Sequence, residues 1–96
     1  MEIKKLDKPE YDKEVDVDVD IGLESRVILF NDDWHSFEEV ISQIIKAIGC
    51  TFEQARDYTF EVHVKGKSII FNGPMSKCLK VSSVLEEIAL FTQIIT

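Results

Sequence analysis

The sequence has no long apolar run, little glycine, proline or cysteine, and a shortage of basic residues. Its 96 residues include four glycines, two prolines and two cysteines. No stretch of about 18 or more apolar residues occurs, so no segment is expected to span a membrane. Eleven Lys and Arg face 18 Asp and Glu, for a net charge of −7. This excess of acid argues against nucleic acid as a partner, because phosphate contacts need basic side chains.

The length and the cysteines predict one small cytoplasmic domain. Ninety-six residues are enough for a single domain with a modest core. Cys50 and Cys78 have no metal-type spacing and are interpreted as reduced thiols. Residues 1–8 are charged and lack the apolar segment of a secretory signal. We expect a monomer without a cofactor or a metal.

The acidity is concentrated at the amino-terminal end. Residues 1–24 hold nine acids and four lysines, a net of −5, whereas residues 25–96 hold nine acids and seven bases, a net of −2. Residues 15–21 alternate valine or isoleucine with aspartate, which has the period of a strand. Aspartate is depleted in strands, and like charges on one face repel. Residues 1–24 are therefore predicted to be a flexible acidic arm, with addition to a sheet edge as the alternative.

A strand and two helices are predicted next. Arg26–Phe30 is an apolar run typical of a strand. Ser36 is predicted to cap a first helix that ends at Gly49. Thr51, with Gln54 in the capping-box position, is predicted to begin a second helix that ends at Gly66. Apolar residues recur at helical spacing in the first of these: Phe37, Val40, Ile41, Ile44, Ile45 and Ile48.

The remaining elements complete a mixed fold. Ser68–Phe71 is predicted as a second strand, which Asn72-Gly73-Pro74 breaks as a bulge or turn. A third helix is predicted from about Lys77, and Phe91–Ile95 as a final strand. The order β-α-α-β-α-β predicts an α+β domain over residues 25–96, with helices on one face of a small antiparallel sheet.

Three short polar residues follow the first strand. Asn31, Asp32 and Asp33 stand where a strand end holds side chains rigidly toward solvent. Two carboxylates and an amide offer mainly hydrogen-bond acceptors, which suit a cation. The residues alone leave open whether that cation is a metal, a Lys or Arg side chain, or a free amino terminus.

Two motifs at a fixed spacing resemble the ClpS family of adaptors. Asn31-Asp32-Asp33-Trp34 precedes a helix, and Val62-His63-x-x-Gly66-Lys67 follows about thirty residues later. The resemblance covers about residues 26–84 and implies the fold that ClpS shares with the ribosomal stalk protein's carboxyl-terminal domain. It also implies that a Clp-type AAA+ unfoldase is the partner, engaged through an amino-terminal arm, and that the chain is not an enzyme.

The resemblance implies a site for peptides that begin with a bulky apolar residue, the N-degrons. By this similarity, Asn31, Asp33 and His63 hold the α-amine. Asp32 adds negative potential, and Asp33 is preferred over it for the direct contact. The family's apolar pocket corresponds to Leu29, Val40, Thr59 and Val62, with Phe37 at its mouth.

The chain departs from the family pattern near the site. It has His35-Ser36-Phe37 where the family usually has Thr-Pro-Met, and Thr59 where Met is frequent. Trp34 is interpreted as a packing residue and His35 as an exposed one. Residues 75–80 are apolar and basic where the family tends to be acidic, which suggests a ClpC-type unfoldase rather than a ClpA type.

Two other function classes remain open. The first is an enzyme or metal site built from Asp32, Asp33, His35 and His63, although the sequence has no HExxH motif or paired CxxC motifs. The second is an interaction domain of the same fold that modulates the unfoldase without a working N-degron pocket.

Overall fold

The element order agrees with the sequence prediction. A computed structural model describes residues 24–96, and this part of the chain forms three strands and three helices. Their bounds are β1 Ser25–Phe30, α1 Phe37–Ile48, α2 Phe52–Lys65, β2 Lys67–Gly73, α3 Met75–Glu86 and β3 Thr92–Ile95. The predicted β-α-α-β-α-β order and α+β class are confirmed. The predicted arm lies outside the described residues, apart from Glu24.

The first strand is the centre of the sheet. The strand order is β2-β1-β3, and both neighbours run antiparallel to β1. Ser25 pairs with Gly73 at one end of β1, and Phe30 pairs with Lys67 at the other. The register of β1 with β2 shifts by one residue between Val27 and Ile28. Hydrogen bonding on both sides fixes the end of β1 from which the polar loop departs.

The end of β2 and the start of α3 differ from the prediction. Asn72 and Gly73 continue β2 instead of breaking it, because they pair with Arg26 and Ser25 of β1. The helix α3 begins at Met75, directly after Pro74, whose carbonyl accepts the N–H groups of Lys77 and Cys78 at 3.0 Å. Cross-strand pairing therefore overrode the turn chemistry that the Asn-Gly-Pro sequence suggested.

The predicted helix caps of α1 and α2 are confirmed. The side chains of Ser36 and Thr51 each accept the backbone N–H three residues on. The side chain at that position, Glu39 or Gln54, accepts the backbone N–H of the capping residue. Gly49 and Gly66 end the two helices with φ of 68° and 88°, a region that glycine adopts without the steric cost that a Cβ brings. These caps set where each helix begins and ends, and so set the position of His63 near the end of α2.

The core lies between the sheet and the helices. Val27 and Leu29 of β1 are fully buried and point into it. Each helix contributes apolar side chains to the same cluster: Ile41 and Ile44 from α1, Ala55 and Val62 from α2, and Cys78, Val81 and Leu85 from α3. Because one face of β1 is covered along its length, the core fixes which β1 side chains face the helices.

We expect Thr51→Ala to lower the free energy of unfolding by about 1 kcal/mol, since it removes the hydroxyl that accepts the Gln54 N–H at 3.1 Å. Urea denaturation followed by circular dichroism measures the change. Thr51→Ser keeps the hydroxyl and should lose much less. Equal losses for the two variants would show that the cap hydroxyl does not stabilise α2.

Candidate functional site

A cavity opens where the end of β1 meets the helices α1 and α2. Its volume is about 250 Å³, which suits one amino-acid side chain better than a drug-sized ligand. It is lined by Phe30, Asn31, Asp32, Asp33, His35, Ser36, Phe37, Val40, Thr59, Val62, His63 and Leu90. The polar loop after β1 forms one rim, and apolar side chains form the interior.

The structure brings most of the residues proposed from sequence into this cavity. Asn31, Asp32, Asp33 and His63 all line it, although His63 follows the triplet by thirty residues in the chain. The apolar candidates Phe37, Val40, Thr59 and Val62 line it as well. Leu29 does not belong to the lining, because its side chain is fully buried in the core.

Backbone hydrogen bonds fix the point where the loop leaves β1. The Asn31 N–H donates to the Gly66 carbonyl at 2.9 Å, and the Phe30 N–H donates to the Phe91 carbonyl at 3.0 Å. The first bond reaches the residue that ends α2, three positions after His63. Asn31 and His63 are therefore held at a fixed separation by main-chain contacts.

The Asp32 carboxylate organises the loop. Its Oδ1 accepts the backbone N–H groups of Trp34 and His35, each at 3.0 Å. This is the turn that aspartate side chains commonly form with the backbone two residues on. Its Oδ2 lies 2.7 Å from Nδ1 of His35, whose other ring nitrogen contacts the Ile88 carbonyl. Asp32 is thus engaged on both oxygens within the protein.

Two interpretations from the sequence are wrong. Trp34 does not pack beside the site, because it is 83% exposed. His35 is not exposed, because only 12% of its side chain is accessible. The turn around Asp32 brings the imidazole inward against two oxygen atoms and leaves the neighbouring indole outside.

The Asp32–His35 pair shifts both pKa values. Burial by itself raises the pKa of Asp32, but hydrogen bonds from the His35 backbone and ring and from the Trp34 N–H outweigh it and lower the pKa. The Asp32 hydrogen bond raises the pKa of His35; burial opposes this, while the Ile88 carbonyl and the charges of Asp32 and Glu39 add to it. Both shifts favour an ion pair.

Aromatic contacts and one bonded hydroxyl shape the apolar interior. The Phe37 ring meets the His63 ring edge-on, with centroids 5.8 Å apart. Phe30 packs on Phe91 with centroids 4.9 Å apart. Thr59 is 3% exposed, and its hydroxyl donates to the Ala55 carbonyl at 2.8 Å. Thr59 is smaller than a methionine and so leaves more room in the cavity. Because its hydroxyl proton is already bonded to Ala55, it adds no free donor.

Four residues of the lining were not predicted for the peptide site: Phe30, His35, Ser36 and Leu90. Of these, His35 entered only the enzyme or metal alternative. Phe30 was assigned to the strand and Ser36 to the helix cap, and each of them also borders the cavity. Leu90 arrives from the segment between α3 and β3, fifty-nine residues after Asn31. No local pattern indicates that contact, which depends on how α3 returns to the sheet.

Residues 24–96 contain no cluster of metal-ligating side chains that would support the metal alternative. Among these residues, no group of three or more His, Cys, Asp or Glu side chains is arranged to hold a metal ion. The helices of this same region are all too short or too polar to cross a membrane.

The ion pair predicts a stability maximum in weak acid. Folding raises the pKa of His35, so its contribution is complete below about pH 6.5 and is lost as the pH rises through the folded-state value. Folding lowers the pKa of Asp32, so its contribution is complete above about pH 3.9 and is lost as the pH falls through the folded-state value.

We therefore expect a double-mutant cycle of Asp32→Asn and His35→Gln to give a coupling free energy of about 1–2 kcal/mol near pH 5.5, and clearly less near pH 9. Urea denaturation at both pH values measures it. Asp33→Asn, in cycle with His35→Gln, is the control and should show little coupling. A coupling that is equal at both pH values would contradict the ion pair.

The chain is similar to known adaptors over most of the described region. The family described as "ATP-dependent Clp protease adaptor protein ClpS" matches residues 24–90. An ATP-dependent Clp protease adapter protein ClpS from Nostoc sp. is 40% identical over 50 residues, covering 51% of this chain and 52% of the relative. The human E3 ubiquitin-protein ligase UBR2 is 28% identical over 80 residues, covering 78% of this chain and 5% of the ligase. The chain thus spans about half the length of the ClpS relative.

A solved structure has the same fold. The structure of Agrobacterium tumefaciens ClpS2 bound to L-phenylalaninamide superposes with a TM-score of 0.66 at 17% identity, covering 74% of this chain and 93% of that chain. The family match extends from the start of β1 to Leu90 and includes both motifs from which the resemblance was first inferred. The chain belongs to the ClpS family.

Proposed function

We propose that this protein is a non-catalytic adaptor that binds N-degrons and delivers them to a Clp-type AAA+ unfoldase in the cytoplasm. It recognises the free α-amine and the bulky apolar first side chain of its substrates. The observation that carries this proposal is the joining of an acidic, amide-containing rim to an apolar cavity of about 250 Å³ in a single site. No other peptide group combines a positive charge with an adjacent side chain in the way that an amino terminus does.

The rim matches the hydrogen-bonding capacity of an ammonium group. An ammonium has three N–H donors, and the rim supplies an amide oxygen from Asn31, carboxylate oxygens, and an acceptor nitrogen when the His63 ring is neutral. Bonds between an ammonium and a carboxylate are about twice as strong as neutral ones. An acetylated amine has no charge and fewer donors, so the site should reject it.

Asp33 carries the negative charge that the ligand neutralises. The charge of Asp32 is already opposed by His35 at 2.7 Å. Asp33 is exposed, and no salt bridge or side-chain hydrogen bond is found for it within residues 24–96. An uncompensated carboxylate gains more from an incoming ammonium than a compensated one does. Asp32 then acts mainly by holding the loop in shape.

The apolar interior accepts the first side chain. Val40, Thr59, Val62 and Leu90 line it, and Phe37 stands at 37% exposure beside His63. The small Thr59 side chain leaves the cavity wider than a methionine would, whereas the stiff Phe37 ring narrows it. One methylene in such a pocket changes the binding free energy by only about 1–3 kcal/mol, so the preference among first residues should be graded.

The ligand of the structural relative has the same chemistry. L-Phenylalaninamide, bound to Agrobacterium tumefaciens ClpS2, has a free α-amine, an apolar side chain and an uncharged carboxamide in place of a carboxylate. Those are the three features of the first residue of a peptide. The shared fold, together with the acidic rim and apolar cavity of this chain, supports an equivalent ligand here.

The decisive experiment is fluorescence anisotropy of a labelled peptide that begins with Leu or Phe, compared with its N-acetylated form. We expect binding of the free-amine peptide only, weakened at least about tenfold by Asp33→Asn, which removes a charge-assisted contact. Glu53→Gln is the matched control, because Glu53 is an exposed acid in the first turn of α2, at the other end of that helix from His63. It should leave affinity unchanged.

Other results would redirect the assignment. Equal binding of both peptide forms would refute recognition of the amine. Loss of binding in Asp32→Asn with full binding in Asp33→Asn would exchange the roles given to the two carboxylates. Absence of binding by either form would leave the same-fold interaction domain, which modulates the unfoldase without a working pocket, as the function.

Delivery is assigned to residues 1–24 and to the surface of α3. Lys77, Leu79 and Lys80 are exposed on α3, and Leu79 is 57% accessible. The first turn of α3 carries no acidic residue. A basic docking face needs a partner of complementary charge, so we expect an acidic docking site on the unfoldase, of ClpA or ClpC type.

We expect deletion of residues 1–24 to leave peptide affinity within about twofold, since the amine site lies wholly within the folded domain. Degradation of an N-degron substrate by the unfoldase and its protease should fall strongly. Unchanged degradation would remove the arm from delivery, and lost peptide affinity would place part of the site in the arm. A scrambled arm of the same composition is the control for net charge.

A further inference from the structure

The imidazole of His35 lies between two acceptors that belong to different parts of the chain. Nδ1 is 2.7 Å from the Asp32 carboxylate, and Nε2 contacts the Ile88 carbonyl, fifty-three residues away. A neutral imidazole has one N–H and one bare nitrogen, so it can satisfy only one of the two. Both contacts are made together when the ring is an imidazolium.

The position of Ile88 adds a second reason for the charge. Ile88 lies just beyond the carboxyl end of α3, where helix dipoles favour a cation. The chain then turns sharply. The Ala89 N–H donates to the Glu86 carbonyl, the Leu90 N–H donates to the Leu85 carbonyl, and Ala89 adopts φ of 63°. This pattern is a Schellman closure, which usually carries glycine at the position of Ala89.

The contact joins two walls of the same cavity. On one side are Asp32 and His35 of the polar loop. On the other is Leu90, which follows Ile88 by two residues and lines the cavity, and Phe91, which packs on Phe30. The imidazolium therefore connects, through two hydrogen bonds, the rim proposed to bind the ligand's α-amine and the wall proposed to bind its first side chain.

We propose that His35, in its doubly protonated form, is a positioning residue that ties residues 31–36 to residues 88–90 and so sets how strictly the pocket selects the first side chain. When the ring loses a proton, it keeps the charge-assisted bond to Asp32 and releases Ile88. The two walls then separate more easily, and the pocket discriminates less. The selectivity part of this inference rests on the proposed function; the positioning part does not.

The charges around the ring define the expected titration. Asp32 and Glu39 favour the proton, and burial opposes it, with a net upward shift in the pKa of His35. The elements that meet at the ring carry other titratable groups. Asp33 and His63 line the cavity; at the end of α3, Glu87 pairs with Lys46 at 2.8 Å and Glu86 accepts from Ser82 at 3.3 Å. His63 is the second imidazole of the cavity, so the test needs a variant that removes His35 and keeps His63.

Nuclear magnetic resonance of the full chain tests the positioning role without any ligand. Imidazole ¹⁵N shifts should show both His35 nitrogens protonated near pH 6, with a midpoint above about 6.5. The amide signals of Ala89 and Leu90 should move with that midpoint in the wild type and stay still in His35→Gln. A singly protonated ring near pH 6, or amides that ignore the His35 midpoint, would overturn the proposal.

The ratio of affinities for a Leu-first and a Phe-first peptide tests selectivity. Both peptides carry the same amine, so titration of the amine and of the rim acids cancels in the ratio. We expect the ratio to move toward one by at least about threefold between roughly pH 5.5 and 8.5, part of the discrimination that a methylene gives. The midpoint should equal that of His35, and the change should vanish in His35→Gln, which retains His63.

A ratio that is constant across the His35 midpoint would overturn the selectivity role. A change that persists in His35→Gln would assign it to His63 and overturn it equally. If neither peptide binds at any pH, the proposed function fails, and the ring and amide titrations decide the positioning role by themselves.

Discussion

The burial of β1 in the centre of the sheet is the constraint on which the rest of the structure depends. Its two neighbours hydrogen-bond to it on both sides, and its inward side chains Val27 and Leu29 are completely covered. Where β1 ends, the Phe30 and Asn31 N–H groups are still paired, with Phe91 and Gly66. The polar loop therefore begins from a fixed point, which reduces the backbone ordering that binding at the rim would require.

That rigid origin lets a short loop carry two chemically opposed tasks. Under the proposed function, the loop presents acceptors to a cation at its outer side, while its inner side lines an apolar cavity. Asp32 has the structural task, because its carboxylate accepts hydrogen bonds from the Trp34 and His35 backbone N–H groups and from the His35 imidazole. Asp33 remains at the surface. A loop with two equivalent aspartates in sequence thus contains one structural and one exposed carboxylate.

The sequence predicted the elements well because each has a local physical signal. The Ser36 and Thr51 caps, and Gly49 and Gly66 at the other ends, fix α1 and α2 through contacts between near neighbours. Where long-range pairing decided the outcome, the prediction was wrong. Asn72-Gly73 was expected to break β2 and instead pairs with β1.

The site divides in the same way. Its polar triplet could be recognised from residue type, and Val62-His63 from the resemblance to the ClpS family. Leu90 could not be found, because it reaches the cavity only through the turn after α3. The inward imidazole of His35 depends on a carbonyl fifty-three residues away, and no pattern in the neighbouring sequence distinguishes it from an exposed ring. The side chain that was expected to pack, Trp34, proved to be the one left in solvent.

The exposure of Trp34 has a spectroscopic consequence. It is the single tryptophan of the chain, and it is 83% accessible in the folded protein. An indole that is already hydrated changes its surroundings little when the chain unfolds, so its emission is a poor reporter of global stability. The backbone N–H of the same residue donates to the Asp32 carboxylate, so the indole is attached to the loop that borders the cavity. Its fluorescence is therefore a built-in, label-free reporter of what happens at the rim, separate from the state of the core.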